Sequence, residues 1–331
     1  MTHFLAFEVT QVDNIFSRGV VSKQTEKLVS DQVRINVEYS DINYKDALAA
    51  SKNSNVIREY PKVPGIDLAG TISQSNSLLW KVGERVLVTG FGLGVAKDGG
   101  FSQIQDVPAS WPVALPEDLS AKEAMAFGTA GFTAALCVQA LIKQKIASEA
   151  SILVTGASGG VASIAIALLK ELGFTNITAL SAKNEQETYL SALGAQKILK
   201  PEELLPEKNR PLAKEKFAAV IDTVGGDMLA AILPFMQYDG CVALCGNAAG
   251  NQLNTTVLPF ILRNIRLIGI DSVNVKQEKR RAIWEFLAKH KKILNKIQVQ
   301  EVILTDLDDT IEAILDARHV GRTIVEMEVK K

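Results

Sequence analysis

Ile152-Leu153-Val154-Thr155-Gly156-Ala157-Ser158-Gly159-Gly160-Val161-Ala162-Ser163 is the stretch that decides the fold. A short apolar run reads as a buried strand, a set of small residues as a tight turn, and an apolar helix continues through Leu169. Small residues let the backbone approach a pyrophosphate, whose charge is met by N–H groups at the start of the helix. In the G-x-G-x-x-G frame the three positions are Ala157, Gly159 and Ala162, so only the middle one is Gly. Ser158, Gly159, Gly160 and Val161 are therefore candidate cofactor-binding residues. A glycine-rich turn with no ligand is the plainer reading of the same residues.

Downstream, short apolar runs alternate with helical stretches. Strands are expected at Ser151–Thr155, Asn176–Leu180, Lys197–Leu199, Ala218–Asp222, Cys241–Cys245 and Arg266–Ile270. Six strands with crossover helices make a Rossmann-type, doubly wound parallel sheet in an α/β protein. The residue that ends the second strand reports on the dinucleotide, because an acidic side chain there binds the ribose 2′-OH of NAD. Here Ser181 holds that place, followed by Ala182 and Lys183. A hydroxyl and a cation suit a 2′-phosphate, so NADPH is expected as cofactor, unless Lys183 is a solvated surface charge. The ends of the fourth to sixth strands add Thr223, Val224, Cys245, Gly246, Asp271 and Ser272 as residues bordering the cofactor. Cys245 fits the wall of such a site better than a nucleophile.

Counting removes two rivals. A P-loop places Lys directly after its last Gly, but Val161 follows Gly160. A short-chain dehydrogenase needs Tyr-x-x-x-Lys, and none of the five tyrosines has Lys four places on.

Composition narrows the class further. With 47% apolar residues, 22% charged residues and a net charge of −1, the 331-residue chain matches a globular protein of two domains. No basic block suggests nucleic acid. Three scattered cysteines without a CxxC motif or a Cys/His cluster suit a reducing, cytoplasmic setting and no metal. Met1–Thr10 lacks the pattern of a signal peptide. The uncharged run Ala124–Ile142 is long enough to span a membrane, yet its glycines, threonines and many alanines suit a helix buried in protein.

Before the sheet, Met1 to about Asp118 reads as irregular β structure, with Arg34–Glu38 and Arg85–Val88 as strands. After Ile270 come an amphipathic helix (Lys276–Lys291), a strand (Gln298–Leu304), a short helix (Leu307–Ala317) and a strand (Thr323–Val329), which return to the first domain. Val63-Pro64-Gly65-Ile66-Asp67-Leu68-Ala69-Gly70, Val82-Gly83-Glu84-Arg85-Val86 and Gly99-Gly100-Phe101-Ser102 resemble, in order, three blocks of the medium-chain dehydrogenase/reductase superfamily. Ser40–Asp46, Gly128–Ala134, Ile221–Gly225 and Pro259–Asn264 are similar to its bacterial acryloyl-CoA reductase and putative quinone oxidoreductase subfamily. Ala162 departs from the expected third Gly, at little cost because Ala still packs closely.

The resemblance implies a GroES-like catalytic domain formed by residues 1–118 and 271–331, and an NADP-binding Rossmann domain of residues 119–270. It also implies a homodimer, which pairing of the sixth strand with its twin would explain. Where zinc-dependent relatives carry Gly-His-Glu, this chain has Gly65-Ile66-Asp67, and His3, His290 and His319 read as solvated. Without a metal the substrate must already be activated, such as a quinone, an enone or the C=C of a CoA thioester. Hydride transfer then builds charge on a conjugated oxygen, and Asn43 and Tyr44 are the catalytic candidates to meet it. Tyr44 reads equally as a cofactor contact. Thr129 is a further cofactor candidate, and Arg322 is expected either to hold a phosphate or substrate or to be surface charge. Asp67 is expected to bond local turn backbone. Gly90, Gly92, Gly94, Gly99 and Gly100 crowd one loop, which reads either as a mobile segment that would admit a bulky substrate or, equally, as a β-turn repeat without function. From another class, the chain also fits an NADPH-binding protein without turnover.

Overall fold

The computed structural model describes residues 1–13, 15–52, 54–204 and 210–327. The chain divides into two compact units. The first comprises Met1–Thr129, Ser272–Lys291 and Gln298–Lys331, and the second Ala130–Asp271 with Lys292–Ile297.

The first unit opens with an antiparallel hairpin of β1 (His3–Val12) and β2 (Ile15–Gln24). Next come β3 (Gln32–Asp41), the six-residue helix α1 (Tyr44–Ala49), β4 (Asp67–Ser75), β5 (Arg85–Thr89), β6 (Ile104–Pro108) and β7 (Val113–Ala114). Val33, Ile35 and Val37 recur at the two-residue period of a strand and are buried with Phe7, Leu68 and Phe101 in this unit's core. Helix α2 (Ala121–Lys143) then contributes residues to both units and is broken at Gly128. Among the described residues it is the one helix long and apolar enough to cross a membrane, and 78% of its most apolar window is buried in protein.

The second unit carries β8 (Ile152–Thr155), α3 (Gly160–Glu171), β9 (Ile177–Leu180), α4 (Glu187–Leu193), β10 (Lys197–Leu199), β11 (Phe217–Asp222), α5 (Gly226–Ile232), β12 (Met236–Leu244), α6 (Leu258–Arg263) and β13 (Arg266–Gly269). Its strands are all parallel in the order β10-β9-β8-β11-β12-β13. The order reverses between β8 and β11, the place where open α/β sheets bind ligands at the carboxyl ends of their strands. Every residue of β8 and β9 is buried, as is α3 from Ala162 to Leu169, which explains why these segments read as continuous apolar runs.

The chain returns to the first unit through α7 (Gln277–Lys289), β14 (Val299–Ile303), α8 (Leu307–Leu315) and β15 (Arg322–Glu326). These complete a seven-stranded sheet in which β15 pairs with β14 and β3. The last strand was expected over Thr323–Val329; it begins one residue earlier, and residues 328 and 329 lie outside the described residues.

Two local expectations are corrected. The glycine loop is fastened rather than loose: the Gly99 N–H donates to the Val63 carbonyl at 2.7 Å, the Gly100 N–H to Gly65 at 2.7 Å and the Gly90 N–H to Ile66 at 3.1 Å. His290 and His319 are half-buried rather than solvated, with a His319 ring nitrogen 2.8 Å from Thr323 Oγ1 and the His290 ring against Phe286.

Candidate functional site

In the second unit the turn after β8 depends on Gly156, whose φ of +59° suits glycine. A Cβ there would lie 2.5 Å from Thr223 Oγ1, so the close approach needs glycine as well. The Gly159 N–H donates to the Gly156 carbonyl at 2.9 Å, and Gly159 caps α3 without a side-chain hydrogen bond. No capping side chain therefore covers the first N–H groups of α3, the arrangement that takes an anion.

Beside the turn, a buried network joins the carboxyl ends of β8 and β11. Thr155 Oγ1 donates to Asp222 Oδ1 at 2.6 Å, the Gly225 N–H to Asp222 Oδ2 at 2.8 Å, and the Thr223 N–H to Thr155 Oγ1 at 3.0 Å. Burial pushes the Asp222 carboxyl up, against the pull of those donors. The Thr223 hydroxyl donates to the Thr155 carbonyl at 2.9 Å, so this side chain ties the frame of the turn. Gly246 packs on it so closely that a Cβ would meet the Thr223 carbonyl oxygen at 2.0 Å. Val224, Cys245 and Gly246 are half-buried around it.

Ser181 is buried, with its N–H on the Leu199 carbonyl at 3.1 Å, and its Oγ accepts the Lys183 N–H at 3.2 Å. Lys183 is half-buried, not a fully solvated charge, and burial holds its ammonium below the ordinary value. The neighbours Asp271 and Ser272 fall into different units, Asp271 exposed in the second and Ser272 in the first.

The first unit holds a cluster that the sequence did not reveal. Asp41, Asp46 and Asp67 are all fully buried. Asp46 accepts the N–H groups of Asn43 at 2.8 Å, Ile66 at 2.9 Å and Gly65 at 3.2 Å, which ties α1 to the start of β4. Burial first, and the neighbouring Asp67 charge second, push the Asp46 carboxyl up to about 7. Asp41 is raised by the same two causes, with the Arg322 cation opposing them.

These contacts redefine four expected residues. The Asn43 amide donates to Asp41 Oδ1 at 2.6 Å and to Asp67 Oδ2 at 2.8 Å, which uses both of its hydrogens. Its oxygen accepts from Arg322 Nη1 at 3.3 Å, so Asn43 is a linker between carboxylates and not a donor to a substrate oxygen. Thr129 gives its N–H to Asp67 Oδ2 at 2.7 Å and its hydroxyl to Asp67 Oδ1 at 2.6 Å. Asp67, expected to bond local turn backbone, instead bridges residues 24 and 62 positions away. Arg322 is neither surface charge nor open to a phosphate: it is 3% exposed and engages Asp41, Asn43 and the carbonyls of Ile42 and Ala126. Tyr44, at the first turn of α1, is 44% exposed and is the candidate that still presents its side chain outward.

Among the described residues no group of three or more His, Cys, Asp or Glu is placed to hold a metal ion, and the buried Asp oxygens serve Asn43, Thr129, Arg322 and backbone N–H groups.

Two family models match the chain: an alcohol dehydrogenase GroES-like domain over residues 29–117 and a zinc-binding dehydrogenase over residues 160–289. Among curated proteins, the putative quinone oxidoreductase YhfP of Bacillus subtilis is 41% identical over 98% of this chain and 99% of its own. The probable acrylyl-CoA reductase AcuI of Escherichia coli is 41% identical over 97% of this chain and 99% of its own. Among solved structures, the Salmonella enterica YhdH oxidoreductase in complex with NADP has a TM-score of 0.93 at 41% identity, covering 98% of this chain and all of its own. Bacillus subtilis YhfP with NAD bound matches with the same values. The identity runs through both units, and the chain belongs to the medium-chain dehydrogenase/reductase superfamily of oxidoreductases, alongside these quinone oxidoreductase and acrylyl-CoA reductase relatives.

Proposed function

We propose that the chain is a zinc-independent, NADPH-dependent reductase of an activated acceptor, either the C=C of acryloyl-CoA or a related enoyl thioester or enone, or a quinone. The observation that carries this reading is the β8–α3 turn at the reversal point of a parallel sheet, in a chain 41% identical along its length to relatives named for those acceptors. When bound, NADPH supplies a hydride from its nicotinamide.

The protein's own residues supply the rest. The N–H groups of Gly160 and Val161 at the start of α3 meet the pyrophosphate, with Ser158 and Gly159 lining the turn. Ser181 and Lys183 meet the 2′-phosphate, and Val224, Cys245 and Gly246 border the cofactor. Tyr44 donates to the acceptor oxygen as charge builds there, or supplies the proton that completes reduction. Asn43 holds α1 in place through Asp41 and Asp67 rather than touching substrate.

A homodimer paired along β13 suits this edge strand, which ends the sheet half-exposed near the exposed Tyr238 and Ile261. A reducing cytoplasm fits the three free cysteines.

The test is anaerobic oxidation of NADPH, followed by absorbance, with acryloyl-CoA and a simple quinone offered separately and NADH as control. Turnover with acryloyl-CoA assigns double-bond reduction, and turnover with quinone alone assigns the other acceptor. Tight NADPH binding with no turnover on either would replace the enzyme reading with a binding role.

A further inference from the structure

We propose that Asp222 is a positioning residue for the dinucleotide site: without touching the cofactor, its buried carboxylate fixes the loops that border it and so sets the affinity for NADPH and NADH alike. This rests on the proposed function, which assigns those loops to a dinucleotide. Asp222 ends β11 in the second unit and is fully buried. It takes a different donor on each oxygen, the Thr155 hydroxyl on Oδ1 at 2.6 Å and the Gly225 N–H on Oδ2 at 2.8 Å. Thr155 Oγ1 accepts the Thr223 N–H in turn, so the one side chain holds both the end of β8 and the turn into α5.

The main chain extends this frame to the loop after β12. The Asp222 carbonyl accepts the Cys245 N–H at 2.9 Å, and the Val224 carbonyl accepts the Ala249 N–H at 2.8 Å. Close packing leaves these segments no room to shift independently: a Cβ on Gly225 would lie 2.9 Å from the Gly246 carbonyl oxygen, and one on Gly156 would lie 2.5 Å from Thr223 Oγ1. The three segments that follow β8, β11 and β12 thus share Asp222 as a common anchor. Groups held in place beforehand lose little freedom when a ligand arrives, so loosening the anchor lowers affinity.

A carboxylate accepts at both oxygens, as these two donors require. Alanine would leave the Gly225 N–H and the Thr155 hydroxyl without it inside the protein, the unfavourable case for a buried donor. Asparagine keeps both contacts, because its oxygen accepts from Gly225 while its amide donates to Thr155 Oγ1, whose hydroxyl turns from donor to acceptor. In the sheet β8 separates β11 from β9, and Ser181 and Lys183 follow β9, so Asp222 acts away from the residues that would read the 2′-phosphate. Equal losses for the two dinucleotides therefore distinguish its role from theirs.

The experiment titrates NADPH and NADH into the full chain and its variants, and follows hydrogen exchange in the dinucleotide-free proteins by mass spectrometry. Asp222→Ala is expected to weaken both dinucleotides about tenfold with their ratio unchanged, and Asp222→Asn no more than about threefold. Exchange at residues 223–226 and 245–250 should quicken in Asp222→Ala. If that variant does not fold, Thr155→Val, which removes the hydroxyl on Oδ1, is expected to quicken the same segments and to weaken both dinucleotides about fivefold. A folded but less stable variant that binds both dinucleotides as the wild type does would overturn the proposal, as would a loss confined to NADPH or an alanine no worse than the asparagine. Wild-type protein that binds neither dinucleotide would overturn the proposed function, whereas exchange unchanged by Asp222→Ala would overturn the anchor even where the wild type binds.

Discussion

Arg322 and Asp41 form an ion pair at 2.8 Å in which neither side chain reaches solvent, 3% and 0% exposed respectively. The break in α2 makes room for it: Gly128 has φ +52°, and a Cβ there would fall 1.6 Å from Asp41 Oδ2. Removing one partner of a buried pair strands the other charge, at a cost of about 3 to 5 kcal/mol. Arg322→Met is therefore expected to lower the unfolding free energy by roughly that amount in urea titration. The double variant Asp41→Asn with Arg322→Met should recover part of it. A single variant as stable as the wild type would show that the pair contributes nothing. Gly128→Ala should destabilise the fold comparably, because its methyl group and the Asp41 carboxylate cannot share the space.

Asp46 gives the first unit a pH dependence. Its carboxyl rises from an ordinary 3.8 to about 7, so between those values the folded state binds a proton that the unfolded chain has released. This group's contribution is complete below pH 4 and is lost as pH rises toward 7, an upper limit of about 4 kcal/mol. Stability measured by denaturant from pH 4 to 8 should carry this downward component, and Asp46→Asn should flatten it. An unchanged slope in the variant would remove Asp46 as its source.

The reach of the sequence reading follows from the range of the interactions. The six parallel strands were legible because β8 and β9 are apolar on both faces and each is bounded by turn residues within a few positions. The phosphate turn was legible for the same reason, its small residues being contiguous. The carboxylate cluster was not, because Asp41 meets Arg322 some 280 positions away and Asp46 meets backbone N–H groups of Gly65 and Ile66. An aspartate beside Gly and Pro invites a local-turn reading, and Asp67 followed the distant partners instead.

Tyr44 separates proton donation from cofactor contact. With its phenol in the first turn of α1 and 44% exposed, Tyr44→Phe removes a hydroxyl without opening a cavity. If the phenol acts on the substrate, kcat should fall about 100-fold while the NADPH dissociation constant stays within about twofold. If it touches the cofactor instead, the dissociation constant moves and kcat with saturating NADPH does not. Stopped-flow turnover and fluorescence titration on one preparation distinguish these outcomes.

In the proposed reading, Lys183 carries the preference for NADPH. The Ser181 side chain is fixed on the Lys183 backbone N–H at 3.2 Å, which holds the segment after β9 in a defined turn and keeps the half-buried lysine next to the position that would otherwise carry the acid of an NAD site. A charge-assisted contact with a 2′-phosphate amounts to about 1.5 to 3 kcal/mol, so Lys183→Ala should weaken NADPH binding about 10- to 100-fold and leave NADH unchanged. Salt should narrow the NADPH-to-NADH ratio in the wild type and have little effect on it in the variant, because the screened charge is then gone. Equal losses for both dinucleotides would mean that the lysine supports the fold of the turn rather than reading the phosphate.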